Sequence, residues 1–456
     1  MYKLILEKLK DKSIAILGFG REGKSTYNFL RKHFPEKELT IIDQKEIDID
    51  DMYTVTVSGS DYLSNLEIFD VIIKTPGISL KDIDTTNLKD KITSQLELLL
   101  EVNKKNIIGI TGTKGKSTTS SLTYEVIKNQ KDDVYLLGNI GVPVLDNIED
   151  YKEDTTLVIE MSSHQLEYIK ESPHIAVILN LFQDHLDHSG TLEHYHNNKM
   201  NIFKYQNEND YLIYSSDNEY LINKMNEFNY QATKYNVRFD NEKFLGNDVR
   251  IIDKDVFINN ELVYTDEERN LIGDHNLKNI MFVLTIAKIL NLDLDKAKEV
   301  IKNFKGLKYR MEYIGKYNNI NYYNDTIATI PDATINAVKA IKNVDTLIFG
   351  GMDRGIDYSE FIKFLETSEI NNLICMPTTG NNIGKILEEK TTKNIMYANT
   401  LEEAYELSKQ YTQKDMSCLL SPAAASYEFF KNFEEKGARF ETIVKNDNKW
   451  LKTKRN

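Results

Sequence analysis

Two glycine-rich stretches carry residue types that could hold phosphate. Gly18, Gly20 and Gly23 form G-x-G-x-x-G, and the same stretch, GFGREGKST, also satisfies G-x-x-x-x-G-K-S through Gly18, Gly23, Lys24 and Ser25. The second stretch, TGTKGKSTT from Thr111 to Thr119, resembles the same device but has Ile110 where the strict pattern wants glycine. In both, backbone N–H groups at the head of a helix would face an anion. Their surroundings separate them. The first follows the apolar run Ile14 to Leu17, opens the helical pattern STYNFLRKHF, and is followed by LTIID, whose Asp43 stands 20 residues after Gly23. That combination fits a diphosphate held by the loop, including Arg21 and Glu22, with the acid near a ribose or base. A plain strand-to-helix turn is the bland alternative. Ser25 could offer magnesium a hydroxyl, but this region has no acidic partner beyond Asp43. The second loop has both parts. Gly112, Thr113, Lys114 and Gly115 can cradle phosphates, Lys116 can reach the β and γ oxygens, and Ser117 or Thr118 can ligate Mg²⁺. About forty residues on, the apolar strand within TTLVIEM ends in Glu160, a second magnesium anchor. The loop that fails the strict pattern is therefore assigned ATP, and the loop that passes it a diphosphate.

These loops need strands and helices to aim them. SIAILGF, LTIID, DVIIKTPGI, NIIGITG, DVYLLGN, TTLVIEM, IAVILNL and DYLIYS read as short buried strands, with helical spacing between many of them. The rhythm predicts α/β architecture with parallel sheets covered by helices. From about Gln231 to Val263 polar, strand-like pieces predict an antiparallel annex, and HNLKNIMFVLTIAKIL predicts a strong amphipathic helix. A second α/β series runs through INYYNDT, VDTLIFGG, NLICMPTTG, NIMYAN and SCLLSPA. Restarts of the βα rhythm near Gln95 and Leu307 predict three domains: 1–95, Rossmann-like; 96–307, a central P-loop ATPase type; and 308–456, Rossmann-like again.

The totals bound partners and compartment. The 456 residues carry a net charge of −13, which argues against nucleic acid as ligand, since a phosphate backbone wants a basic surface. Cys375 and Cys418 are the only cysteines, so no disulfide framework is expected and a reducing cytoplasm fits. The start MYKLILEKLKDK lacks a signal-peptide core, and no apolar run is long enough for a membrane span. A monomer acting on small molecules is expected.

The phosphate loop Thr111 to Ser117 resembles the T-G-T-x-G-K-[ST] loop of the Mur ligases. So do GNIG, EMSSHQLE, NLFQDHLDHSG, YHNNKMNIF, GDHNLKN and YRME along the middle of the chain. NDTIATIPDAT, GGMDRGIDY and LLSPAAASYEFFKNFEEKGARF are similar to the third domain of the family members that add D-glutamate to UDP-N-acetylmuramoyl-L-alanine. The resemblance implies that ATP phosphorylates the alanyl carboxylate and that the amine of D-glutamate attacks the acyl phosphate. It implies roles as well. Lys116 would act on the triphosphate, and Glu160 on magnesium. His185 would ligate a second magnesium, with Lys199, carbamylated by CO₂, near that ion. Asn279, Arg310 and Asp325 would meet ATP. Thr75, Pro76 and Gly77 would join the UDP site, and Asn139 would meet the muramoyl substrate. Arg354, Ser426 and the backbone of Phe433 would receive the glutamate. Ile327 and Ile330 stand where the family often has Lys and Asn, and Arg354 where Lys is common.

Blander readings compete. His185, His188, His194 and His196, with Asp184 and Asp187, could suggest a zinc hydrolase; the expectation is one magnesium-linked histidine, His185, and local hydrogen bonding for the rest. Lys199, without the motif, reads as a helix-surface lysine. Tyr427, Phe429, Phe430 and Phe433 read as packing within one helix. Three alternative functions remain: a Mur-type ligase with another acceptor such as L-glutamate, a folylpolyglutamate synthase-like enzyme, and a nucleotide-binding regulator built on a degraded ligase. The second would lack a UDP-binding first domain with Gly18 to Gly23 and Asp43.

Overall fold

The computed structural model describes residues 1–140, 142–182, 191–239, 247–266, 269–271, 273–353, 356–426 and 429–453. The chain divides into two compact units, Met1–Phe304 and Lys305–Asn456. Among the described residues no helix is long and apolar enough to cross a membrane.

The first unit holds two sheets. One has five parallel strands in the order β3-β2-β1-β4-β5. These are β1 (Ile14–Leu17), β2 (Leu39–Ile42), β3 (Thr54–Val57), β4 (Val71–Lys74) and β5 (Ile92–Thr93). Because β1 lies between β2 and β4, successive connections leave it in opposite directions. The carboxyl ends of β1 and β4 therefore flank a crevice of the kind that takes ligands in doubly wound sheets.

The second sheet runs β14-β13-β12-β11-β10-β9-β6-β8-β7. Its strands are β6 (Ile107–Thr111), β7 (Val134–Gly138), β8 (Thr156–Glu160), β9 (Ile175–Ile178), β10 (Tyr211–Ser215), β11 (Thr233–Arg238), β12 (Asn247–Ile252), β13 (Asp255–Ile258) and β14 (Glu261–Thr265). Strands β6, β8 and β9 are buried at every residue, which explains their unbroken apolar runs.

The expected antiparallel annex is only half correct. β11 and β12 continue the parallel sheet, and only the β12-β13-β14 edge is antiparallel. The physical reason is cover. The helix Asp274–Ile289 packs on β11 and β12, while β13 alternates between buried and half-buried residues. That helix differs from expectation too. It is buried at Leu277 and at every residue from Asn279 to Ala287, so it is enclosed rather than amphipathic.

The second unit has one sheet, β15-β16-β20-β17-β18-β19. Its strands are β15 (Glu312–Tyr317), β16 (Ile320–Asn324), β17 (Val344–Gly350), β18 (Asn372–Met376), β19 (Asn394–Tyr397) and β20 (Ser417–Leu420). Only β15 runs antiparallel. β20 returns to lie between β16 and β17, which makes a second switch point at their carboxyl ends. Phe429 and Phe430 do not share a helix with Phe433, because the C-terminal helix starts at Phe433.

Candidate active site

The first loop forms at the end of β1. Gly18 has φ +93°, and a Cβ there would sit 2.1 Å from Thr75 Oγ1. A Cβ on Gly23 would sit 2.0 Å from the Gly18 carbonyl oxygen, so both glycines serve the turn itself. Gly20 is different: its Cβ would meet nothing within 4 Å. The Phe19 N–H donates to Asp43 Oδ2 at 2.7 Å, tying the loop to the end of β2. The loop, Asp43, Lys45 and Thr75 to Ile78 line a cavity of about 800 Å³, and so do Asn139 and Gln165 from the other sheet of the same unit. Gln165 Nε2 donates to Glu22 Oε1 at 2.7 Å, and burial pushes the Glu22 carboxyl above its usual range against that hydrogen bond. Lys24 is exposed at the rim of the same cavity, its ammonium 5.9 Å from the Phe19 ring centre.

The second loop follows β6, and the helix Lys116–Lys128 begins directly after Gly115. Gly115 has φ +87°, and a Cβ there would approach Asn279 Oδ1 to 2.8 Å, so Asn279 lies directly against the loop. Lys116 folds back over the loop, its Nζ donating to the carbonyls of Gly112 at 2.8 Å and Thr113 at 3.1 Å. Lys199 is 1% exposed and donates to the same Gly112 carbonyl at 3.2 Å, which removes the surface reading. Two ammonium groups thus converge on one oxygen, and their repulsion makes the position attractive to an anion. Asn180, which sequence reasoning did not single out, braces the loop. Its Oδ1 accepts from the Lys114 N–H at 2.8 Å and its Nδ2 donates to the Lys114 carbonyl at 2.9 Å. Ser117 is buried beside Lys116, and Thr118 is half-buried.

Glu160 closes β8 opposite Ile110, one residue before Thr111 and the loop. It is fully buried. Oε1 accepts from Asn139 Nδ2 at 2.6 Å, while Oε2 has no hydrogen-bond partner among the described residues. Gly138 keeps the approach close: a Cβ there would sit 2.4 Å from the Glu160 carbonyl oxygen. A buried carboxylate oxygen without a donor is costly unless something else meets it. A divalent cation is such a group, and the hard oxygen donors of Glu160 and Ser117 fit magnesium. Of the histidines, His194 Nε2 lies 3.0 Å from Glu167 Oε1, and His196 bonds to Tyr220 and to the Phe182 carbonyl. His185 lies outside the described residues.

In the second unit, the carboxyl of Asp325 accepts from Ser421 Oγ at 2.7 Å and from the Met311 N–H at 3.0 Å. Burial pushes it up to about 6, against those bonds and the charge of Arg310. Asp325 thereby ties down the Tyr309 to Met311 segment, which carries Arg310 and whose backbone is left-handed at both Tyr309 and Met311. Ser426 is 4% exposed and its hydroxyl has no partner among the described residues. Phe433 is half-buried at the head of its helix. Arg354 lies outside the described residues. Lys436, which the sequence reading passed over inside KNFEEKG, is buried.

Comparison with known proteins adds a family pattern. Residues 110–329 match the Mur ligase middle domain, and residues 309–424 match the Mur ligase glutamate ligase domain. The chain is 33% identical to the UDP-N-acetylmuramoylalanine–D-glutamate ligase of Caldicellulosiruptor bescii, over 96% of this chain and 98% of that one. It is also 33% identical to the enzyme of the same name from Thermoanaerobacter sp. strain X514, over 96% and 99% of the two chains. Its fold is similar to the UDP-N-acetylmuramate–alanine ligase of Thermotoga maritima, with TM-score 0.55 and 17% identity, over 96% of this chain and 100% of that one.

Proposed function

The chain belongs to the Mur ligase family, and from that premise we propose that it joins D-glutamate to UDP-N-acetylmuramoyl-L-alanine at the expense of ATP. One observation carries the reading. Glu160 touches Asn139, which lines the cavity of the first loop, and it ends the strand paired with the one that launches the second loop. A diphosphate-type cavity and a triphosphate-type loop therefore meet at one carboxylate.

In this reading Gly18, Gly20, Arg21, Glu22, Gly23, Asp43, Thr75, Pro76 and Gly77 hold the UDP portion, and Asn139 meets the muramoyl end. Gly112 to Thr118 and Asn279 hold ATP, and Arg310 and Asp325 are assigned to the nucleotide as well. Lys116 neutralises the β and γ oxygens. Glu160, Ser117 and Thr118 would hold magnesium, which supplies further charge neutralisation on the phosphates. His185 and a carbamate on Lys199 would complete a second ion's ligands. The carbamate has a local rationale: it replaces one of the two ammonium groups on the Gly112 carbonyl by a carboxylate, turning repulsion into attraction. Arg354, Ser426 and the Phe433 backbone receive glutamate. The assigned division of labour is 1–95 for the UDP substrate, 96–307 for ATP and 308–456 for glutamate, in a cytoplasmic monomer.

Chemically, the γ-phosphoryl passes to the alanyl carboxylate with loss of ADP. The amine then attacks the acyl phosphate, and phosphate leaves as the amide forms. The protein's task is positioning and charge stabilisation. The folylpolyglutamate alternative is not favoured, given the names of the relatives and a first sheet that carries the cavity. The test is phosphate release and product mass with each substrate omitted in turn. Release is expected only with ATP, UDP-N-acetylmuramoyl-L-alanine and D-glutamate together, and equal rates with L-glutamate would overturn the acceptor assignment.

A further inference from the structure

At the switch point of the second unit's sheet, the Lys436 side chain reaches the turn after β17, and the backbone at Thr379 and next to Ser426 packs on the same turn. The Lys436 ammonium donates to the Gly350 carbonyl at 2.9 Å, its only hydrogen bond among the described residues. The next carbonyl, of Gly351, accepts the N–H groups of Thr378 and Thr379 at 2.9 and 3.0 Å. A Cβ on Gly351 would lie 2.3 Å from the Ala425 carbonyl oxygen, so Ser426 follows directly on the same contact. The hydroxyls of Thr379 and Ser426 are both buried and without partners among the described residues. Lys436, Thr379 and Ser426 are 3%, 3% and 4% exposed. Buried polar groups are nearly always satisfied, so two orphan hydroxyls and an ammonium with two unused N–H donors mark a place for an acceptor-rich group.

We propose that Lys436 is a substrate-binding residue, the cation that pairs with the side-chain carboxylate of the incoming glutamate, with the hydroxyls of Ser426 and Thr379 as its companions.

This rests on the proposed ligation of D-glutamate. The choice of carboxylate follows from depth. The amine must be presented to the acyl phosphate, so the γ-carboxylate, farthest from it along the side chain, is the end that reaches the most enclosed cation. Burial lowers the Lys436 ammonium to about 8. An ionised carboxylate would reverse that penalty, which gives the site a reason to prefer an acid to its amide.

The test is steady-state kinetics of Lys436→Met, with D-glutamate and D-glutamine compared at saturating ATP and UDP-N-acetylmuramoyl-L-alanine. The KM for D-glutamate should rise by about 30-fold. The preference for D-glutamate over D-glutamine should fall by about tenfold or more. The KM values for the other two substrates should stay within about twofold, since uniform effects would signal something other than a lost carboxylate contact. Lys436→Arg keeps the charge and should keep the preference. Lys436→Gln drops the charge but keeps a donor for the Gly350 carbonyl; it carries the same expectation and is read if the methionine variant fails to fold. An unchanged preference in the neutral variants, or a parallel loss on both amino acids, overturns the assignment. Wild-type enzyme unable to use D-glutamate would instead overturn the proposed reaction.

Discussion

Lys24 and Lys116 occupy equivalent places in two look-alike loops, and their side chains behave differently. Lys116 curls onto the carbonyls of its own loop, where it is held ready for phosphate oxygens, whereas Lys24 lies exposed against Phe19. Lys116→Ala should therefore lower ATP-dependent turnover by about 10²–10³, while Lys24→Ala should leave ATP binding nearly unchanged. Nucleotide titration and phosphate release on both variants check this, and the opposite ranking would invert the loop assignment. Lys199 is the second residue where position decides chemistry. Its burial beside the Gly112 carbonyl leaves an alanine variant with neither cation nor carbamate. Lys199→Ala should be nearly inactive and partly restored by added short-chain carboxylates, and Lys199→Arg should not work because a guanidinium cannot be carbamylated. Intact mass showing an unmodified Lys199 in fully active, metal-loaded enzyme would sink the carbamate.

At the scale of elements, the strand-turn-helix unit after β1 separates two uses of glycine. Gly23 abuts the backbone of Gly18, so Gly23→Ala must displace main chain and should destabilise by about 2 kcal/mol or more. Gly20 faces open space, so Gly20→Ala should fold normally and its cost should appear as a raised KM for the UDP substrate. Thermal midpoints and KM values on the pair decide the matter; a destabilised Gly20→Ala with unchanged KM would remove Gly20 from the ligand site. The same elements show what a sequence exposes. The apolar strands β1, β6, β8, β9 and β17 were legible because parallel strands buried on both faces read as unbroken runs. β3, with half-buried and exposed residues, and two-residue β5 gave no such signal. The annex was misread because strand polarity reports cover and not direction. The helix Asp274–Ile289 was placed to within a residue at each end, but its enclosure depends on neighbours from distant parts of the chain. The site was legible at its motif residues. The Asn139–Glu160 contact, the approach of Lys199 to the Gly112 carbonyl and the brace from Asn180 arise from pairings 21 to 87 residues apart, which spacing along the chain does not encode.

Across the whole molecule, each unit buries an acid that folding makes harder to ionise. Glu97 in the first unit is pushed up to about 7, by burial above all and against the N–H groups of Lys170 and Glu171. Asp325 in the second is pushed up to about 6. The sign follows from linkage. For an acid whose folded value is raised, the folded state binds the proton more tightly, so the cost is absent below the unfolded value near 4 and complete above the folded value. Stability from these two groups therefore falls as pH rises from about 4 to about 7. A shift of about two units corresponds to about 3 kcal/mol for Asp325. Asp325→Asn keeps an acceptor for the Met311 N–H and removes the charge. Relative to wild type it should gain most at pH 8, with the gain shrinking as pH falls through 6 towards 4. Because a chain of two units need not unfold in one step, the readout should be local: amide exchange on β16 and β20, the strands whose ends carry Asp325 and Ser421. A difference in protection between variant and wild type that stays constant from pH 4 to pH 8 would show that Asp325 is already ionised without penalty in the fold, its hydrogen bonds to Ser421 and Met311 and the charge of Arg310 offsetting its burial.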